Sequence, residues 1–350
     1  MYPAGENLPY NNGDPGIRTK DLKAPLGQAQ PADPLRAFVA LTSHHVLFPY
    51  GFPVQIKSND PSVIRAAELS WGASRQRFRE RPIEMRFVVS DSPTRRKPRF
   101  PIFRAQANLL TVVADRQNFA CCDLSAGFGF ACLTKAAVVH MDYLRYHFLE
   151  AMAYTLLDTQ HVVAIHAACA QFAGHGVLLV GESGAGKSSF AYACAKRGWT
   201  YISDDASSLV RRKEGRTVLG NPFVFRFRPT ISSLFPELNG HIKLRNGKPT
   251  LEIRTEVLRH IKLAEECAVD YIVFLDRLSS APEPVRLSPV LRQDAFRRLV
   301  KNHFPTELAI QEERVAAIER LSDAHAYELT YREFEPAIDL LESVIHGDEP

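Results

Sequence analysis

The sequence has few cysteines and no long hydrophobic run. The six cysteines among its 350 residues form no Cys-x-x-Cys pair, which excludes the zinc and redox motifs built on that spacing. No apolar stretch approaches the roughly 20 residues of a membrane-spanning helix, and the start of the chain lacks the basic-then-apolar pattern of a secretory signal. We therefore expect a cytoplasmic protein with reduced thiols that does not bind a membrane.

The sequence also lacks a strong charge of one sign. A formal net charge of +4 is small for this length, and by itself it does not indicate a nucleic-acid partner. One basic segment, residues 94–99, is short and has little aromatic interleaving. It is therefore more typical of a solvated loop than of a nucleic-acid patch.

Composition divides the chain into four parts. Residues 1–34 are rich in Pro, Gly and Asn and predict a flexible leader. Residues 35–140 contain short β-like runs broken by turns, at 46–52, 83–89, 109–113 and 119–122, which predict a β-rich, mostly antiparallel N-terminal lobe. Residues 141–160 predict a linking helix with Asp142 as a cap near its start, and residues 161–350 predict a further domain that ends in helices.

Periodicity predicts the elements of this last domain. Strands are expected at 162–170, 177–180, 199–203 and 269–275, with an edge strand at 327–331. One helix is expected to begin near residue 187 and to end at Gly198. Further helices are expected at 289–302, 307–321 and 336–345. Strands alternating with helices indicate an α/β fold with a buried, parallel sheet.

The strongest motif follows the strand at 177–180. Gly181, Gly186, Lys187 and Ser188 occupy the fixed positions of the phosphate-binding loop G-x-x-x-x-G-K-[ST]. Glycines let backbone N–H groups wrap a polyphosphate, and the helix that begins at Lys187 points its positive end at the same anion. The predicted nucleotide-binding residues are Gly181, Glu182, Ser183, Gly184, Ala185, Gly186, Lys187, Ser188 and Ser189.

Two carboxylates end the next predicted strand. Asp204 and Asp205 follow residues 199–203, and ligands of α/β sheets bind beyond the carboxyl ends of the strands. One acid could hold Mg²⁺ together with Ser188, while the other accepts a proton from a substrate hydroxyl. The alternative is that the pair has a purely structural role and caps the next turn.

A lone histidine, His166, precedes the loop. It could be structural, or it could donate a hydrogen bond to a phosphate.

This array resembles the catalytic domain of the HPr serine kinase/phosphorylase family. The similarity lies in His166, the phosphate loop, the Lys196-Arg-Gly turn before Asp204 and Asp205, the segment 218–222 and Leu251-Glu-Ile-Arg254. The resemblance implies an HPr-kinase/carboxykinase-like fold that uses ATP and Mg²⁺. It further implies that Asp204 is the general base, that Asp205 and Ser188 bind the metal, and that His166 lies near the terminal phosphate.

The same resemblance places Glu252 and Arg254 at the rim of the active site. Arg226 and Arg228 alternate with aromatic residues on a predicted strand, so both side chains should point to one face. They could clamp substrate or nucleotide, or they could form a solvated strand face. Lys187, Mg²⁺ and an arginine are the groups expected to stabilise phosphoryl transfer.

The sequence also departs from the family pattern. Ser189 stands where the family has Glu, and Thr255-Glu-Val-Leu258 replaces a glycine-rich stretch. We therefore expect a kinase for a hydroxyl of a protein, peptide or small molecule other than HPr. The alternatives are a nucleotide-binding regulator or ATPase without a dedicated acceptor, and a carboxykinase-like enzyme. The β-rich lobe would recognise the partner or form a homo-oligomer interface.

Overall fold

The computed structural model describes residues 39–347 except for 93, 206, 212–213, 239, 241, 246–247, 278–284 and 302–307. The predicted leader, residues 1–34, lies outside this range. The described strands and helices belong to the compact unit Leu41–Pro350. Within the described residues, no helix is both long and apolar enough to cross a membrane.

The first sheet has seven strands in the described part of the chain. They are β1 (Ser43–Leu47), β2 (Val54–Ser58), β3 (Ile83–Ser90), β4 (Ile102–Gln106), β5 (Leu109–Val113), β6 (Phe119–Asp123) and β7 (Phe128–Thr134). Their order is β1-β2-β3-β7-β6-β5-β4, and only the β2–β3 and β3–β7 pairs are parallel. The β-rich, mostly antiparallel lobe is thus confirmed, although the predicted run 46–52 turns into a 3₁₀ turn at Pro49–Gly51 after β1 ends.

Helices cover one face of this sheet. They are α1 (Pro61–Trp71), α2 (Lys135–Val138), α3 (Met141–Leu144), a π-helical turn (Arg145–Leu149) and α4 (Glu150–Gln160). Residues 141–160 are therefore helical throughout, as predicted. Asp142 is not the cap, because it lies inside the first turn after His140. The buried side chains of this helix share one apolar core with the first sheet.

The second sheet contains ten of the described strands. They are β8 (Val162–Ile165), β9 (Ala167–Phe172), β10 (His175–Val180), β11 (Thr200–Ser203), β12 (Ser207–Val210), β13 (Thr217–Leu219), β17 (Lys262–Leu263), β18 (Glu266–Arg277), β19 (Arg286–Pro289) and β20 (His325–Tyr331). The remaining strands, β14 (Val224–Phe227), β15 (Ile242–Arg245) and β16 (Lys248–Arg254), pair in a small separate sheet.

Helices pack on both faces of the second sheet, which confirms the α/β fold class. The cluster containing α5 (Lys187–Lys196) and α8 (Phe334–His346) covers one face. The cluster containing α6 (Arg292–Val300) and α7 (Leu308–Leu321) covers the other. Gly198 has φ +94° just beyond α5, so it ends that helix as predicted.

Four predictions about this sheet are wrong in detail. The sheet is mixed, because β10 is parallel to β18 but antiparallel to β9. The predicted strand at 162–170 is two strands, which break at His166 and pair with different partners. β20 is not an edge strand, since it lies between β18 and β19. The predicted helix at 289–302 begins only at Arg292, because Arg286–Pro289 pairs as β19; its last residue, 302, lies outside the described residues.

Candidate active site

Three neighbouring strands bring the predicted site residues to one edge of the second sheet. β9 is antiparallel to both β10 and β11, so the start of β9 lies beside the ends of the other two strands. Val180 at the end of β10 pairs with Ala167, and Ser203 at the end of β11 pairs with Cys169. The phosphate loop, His166 and the two aspartates therefore meet at this edge.

The phosphate loop has the backbone geometry that its glycines predict. Gly184 and Gly186 have φ values of +102° and +92°, a region that other residues rarely adopt. A Cβ on Gly186 would lie 2.8 Å from the hydroxyl of Tyr331, which donates to the Ala185 carbonyl at 3.1 Å. A Cβ on Gly181 would lie 2.8 Å from that of Ala185. The loop thus keeps its backbone accessible to a phosphate group.

Lys187 lies inside the loop. Its side chain is only 6% exposed, and Nζ donates to the carbonyl oxygens of Gly181 at 2.8 Å and Glu182 at 3.3 Å. Burial lowers the pKa of Lys187, while the negative charges of Asp205 and Glu182 oppose that shift. The ammonium group is therefore held at the phosphate loop by weak acceptors that a phosphate could replace.

The two aspartates have different environments. Asp204 is 4% exposed, and its Oδ2 accepts the backbone N–H of Arg226 at 2.5 Å. The Asp204 carbonyl accepts the Ser188 hydroxyl at 3.2 Å, which fixes Ser188 beside the acid pair. Asp205 is about half exposed, and its Oδ1 lies 3.1 Å from Nδ1 of His166. Asp205 faces the cavity described next, whereas Asp204 is turned into the protein.

A cavity of about 960 Å³ adjoins the phosphate loop, a size typical of sites for small molecules and cofactors. Most of the predicted site residues line it, namely His166, Ser183, Gly184, Gly186, Lys187, Ser188, Ser189, Asp205, Arg226 and Arg228. Gly181, Glu182 and Ala185 instead shape the loop, through the contacts given above. The structure therefore joins the phosphate loop and the His166–Asp205 pair in one cavity.

Two arginines flank the loop on the cavity side. Arg228 donates to the Ser183 hydroxyl at 3.0 Å. Arg277, which the sequence reasoning missed, has its Cδ 3.5 Å from the position of a Cβ on Gly186. Arg277 is the last residue of β18, which runs parallel to β10. The sequence does contain a signal for Arg277. It is a charged residue at the end of an apolar strand, and in a parallel pair such a residue lies at the same sheet edge as the phosphate loop.

Glu252 and Arg254 line a second, smaller cavity of about 60 Å³ beside α1. Oε2 of Glu252 accepts the Tyr146 hydroxyl at 2.6 Å, and Nη2 of Arg254 lies 3.5 Å from the Leu69 carbonyl. The resemblance implied that both residues lie at the rim of the active site. Neither residue lines the larger cavity, but Glu252 lies 3.6 Å from Arg226, which lines both cavities. Their place at the rim of the active site therefore stays a prediction.

A buried network of charges connects that lobe to the site. Glu150 is 3% exposed, and its Oε1 accepts the Ser70 hydroxyl at 3.0 Å and lies 3.5 Å from Nη2 of Arg145. Its Oε2 lies 3.8 Å from Nη2 of Arg226, whose Nε is 3.6 Å from Glu252. Burial alone would lower the pKa of Arg226, but the surrounding carboxylates, Glu150 first, raise it. Arg226 thus remains charged between the lobe and the active-site cavity.

No cysteine is among the described residues that line this cavity. All six are free thiols, and four of them are buried. Sγ of Cys169 and Sγ of Cys267 lie 3.4 Å apart in the core of the second sheet, and the hydrogen bond with Cys267, followed by burial, raises the pKa of Cys169. Burial of the thiols, as predicted, holds for these four, whereas Cys121 and Cys132 are partly exposed.

Comparison with known families gives a match to part of the chain. Residues 158–225 match the family model of the HPr Serine kinase C-terminal domain. This part of the chain is HPr kinase-like. The matched segment contains His166, the whole phosphate loop and the two aspartates, which are the residues that meet at the sheet edge.

Similarity to individual proteins is weaker. The structure of the Hpr(Ser) kinase/phosphatase from Coxiella burnetii is 13% identical, covers 52% of this chain and 93% of its own, and superposes with a TM-score of 0.27. A similarity at this level supports no conclusion about activity. No curated protein matches the chain.

Proposed function

We propose that this protein is a Mg²⁺-dependent kinase that transfers the γ-phosphate of ATP to a hydroxyl group, such as a seryl side chain, of a protein, peptide or small molecule. The observation that supports this function is the single cavity that joins Lys187 in the phosphate loop to the His166–Asp205 pair. Phosphoryl transfer needs mainly positioning and charge neutralisation, and this cavity offers groups for both. The proposed setting is the cytoplasm.

The donor phosphates would lie on the phosphate loop. Lys187 would exchange the carbonyls of Gly181 and Glu182 for the β- and γ-phosphates. Arg228 and Arg277 flank the loop on the side where negative charge develops during transfer. These three cations suit a polyphosphate better than a neutral ligand.

The residues beside the loop fit a magnesium ion. The Ser188 hydroxyl and the Asp205 carboxylate are hard oxygen ligands that line the same cavity, and Mg²⁺ usually takes only one or two carboxylates from a protein that binds nucleotide. When bound, the ion would supply charge neutralisation at the phosphates.

We infer that the His166–Asp205 pair takes the proton of the acceptor hydroxyl. Asp205 holds the imidazole through Nδ1 at 3.1 Å, so the other ring nitrogen, Nε2, is the natural proton acceptor. Asp204, which the resemblance implied as the base, stays a prediction. The buried Asp204 carboxylate accepts a hydrogen bond from the backbone N–H of Arg226. In our proposal this bond fixes the position of β14 beside the site, and Asp204 does not take the proton.

The direct test is an incubation with γ-labelled ATP, Mg²⁺ and serine-containing peptides or cell extract. Lys187→Ala should abolish both nucleotide binding and labelling of the acceptor. Lys196→Ala is the matched control, because Lys196 ends the same helix and binds Glu237 at the surface. Label that appears only as inorganic phosphate would instead favour the ATPase alternative, and unchanged binding by Lys187→Ala would contradict the proposed site.

Two further variants distinguish the candidate bases. His166→Ala should lower kcat by about 100-fold or more with little change in ATP affinity, which is typical of the loss of a general base. Asp204→Asn should leave measurable transfer. If Asp204→Asn abolishes transfer while His166→Ala does not, Asp204 is the base as the resemblance implied.

A further inference from the structure

The strand β4 is exposed along its whole length. All five of its residues are exposed, including Ile102 at 56% and Phe103 at 41%, and Phe100 just before it is 48% exposed. β4 ends the first sheet and pairs on one side with β5. An exposed apolar edge strand is a template for pairing with another chain unless the protein protects it.

The hairpin geometry shows which backbone groups face outward. A two-residue loop, Ala107 and Asn108, joins the paired residues Gln106 and Leu109. In such a hairpin the closing pair exchanges both hydrogen bonds, and bonded and non-bonded pairs then alternate along the strands. The backbone N–H and C=O groups of Phe103 and Ala105 therefore point away from β5, toward the free edge of the sheet.

The charge around this edge is of one sign. Residues 92–106 contain five cations and no acid, namely Arg95, Arg96, Lys97, Arg99 and Arg104. These side chains make no ion pair within the described part of the chain. The segment before β4 is packed in place, since the Arg99 carbonyl accepts the Tyr143 hydroxyl at 2.7 Å and Lys97 lies 5.4 Å from the centre of the Tyr143 ring.

We propose that β4 is a docking strand for an extended, acidic segment of a partner protein, which adds to the first sheet through backbone hydrogen bonds. Apolar side chains and free backbone groups favour a β-strand ligand, and the five cations favour acidic residues in it. A second copy of this chain fits less well. Antiparallel pairing of two β4 strands about their centres would place Arg104 opposite Arg104, and like charges directly opposite destabilise a pair.

The probe for this proposal is a fluorescein-labelled peptide of alternating glutamate and valine, followed by fluorescence anisotropy on the full chain. Ala105→Pro removes one outward N–H, and proline is tolerated on the free side of an edge strand. It should weaken binding by about 10-fold, whereas Ala105→Ser, the matched control, should bind like the wild type. Arg104→Glu should also weaken binding, and the loss should shrink as salt is raised.

Three comparisons decide between this and other occupants. The same peptide with N-methylated backbone amides should not bind, because it cannot pair with the strand. Equal binding of the N-methylated peptide, or of Ala105→Pro, would overturn strand addition. Tighter binding of a single-stranded oligonucleotide or of anionic phospholipid vesicles would assign the patch to those ligands. A dimer that Ala105→Pro dissociates would assign it to a second copy. No binding of the acidic peptide would likewise overturn the proposal.

Discussion

Replacement of Glu150 by alanine should destabilise the protein by about 3–5 kcal/mol. The carboxylate is 3% exposed and lies 3.5 Å from Nη2 of Arg145 and 3.8 Å from Nη2 of Arg226. With an effective dielectric constant of about 20, each pair is worth about 4–5 kcal/mol of Coulomb energy. Desolvation of the carboxylate offsets several kcal/mol of this sum. The variant would leave two buried guanidinium groups without the acid between them.

The assay is thermal unfolding of the full chain, followed by circular dichroism. For a chain of this size about 2 °C is lost per kcal/mol, so the midpoint should fall by about 6–10 °C. Glu84→Ala is the matched control, because the Glu84 side chain is 28% exposed and binds Lys57 and Arg86 at the surface. That variant should lose less than about 1 kcal/mol. Equal shifts in the two variants would show that the buried network does not stabilise the fold.

Two other predictions concern the phosphate loop and the surface. Gly186→Ala should weaken ATP binding, measured by calorimetry, by at least about 10-fold. The residue has φ +92°, and its new Cβ would lie too close to the Tyr331 hydroxyl. Adding Tyr331→Phe removes that contact but not the backbone strain, so it should restore only part of the lost affinity. The hydrogen bond from Lys196 lowers the pKa of Glu237 in the folded protein below its ordinary value. The stabilisation from this ion pair is therefore fully present above the pKa of Glu237 in the unfolded chain, and it is lost as the pH falls through the lower pKa of the folded protein. Glu237→Gln should therefore be less stable than wild type at pH 7 by under about 1 kcal/mol, and the two unfolding midpoints should converge in acid.

Local signals in the sequence predicted the centre of the site. Gly186 and Lys187 belong to a strand–loop–helix segment whose conformation depends on glycine dihedral angles and on the first turn of α5. These interactions join residues only a few positions apart, so a short motif specifies them. Gly198 ended the helix for the same reason.

Long-range strand pairing decided the rest. His166 belongs to the site because the chain breaks between β8 and β9 and β9 then runs antiparallel to β10, a pairing that local periodicity does not contain. Arg277 reaches the loop from 90 residues away because β18 is parallel to β10.

The sequence by itself determined a phosphate loop, an α/β domain around it and two acids at the end of the next strand. Only the tertiary structure decided that Asp205 faces the cavity while Asp204 contacts the Arg226 backbone, and that Glu252 turns toward the N-terminal lobe. The physical reason is that Asp204 and Asp205 lie in a bend after β11 ends at Ser203, so strand periodicity does not fix the direction of either side chain. Which side is the cavity depends on the strands and helices that pack there, and those come from distant parts of the chain.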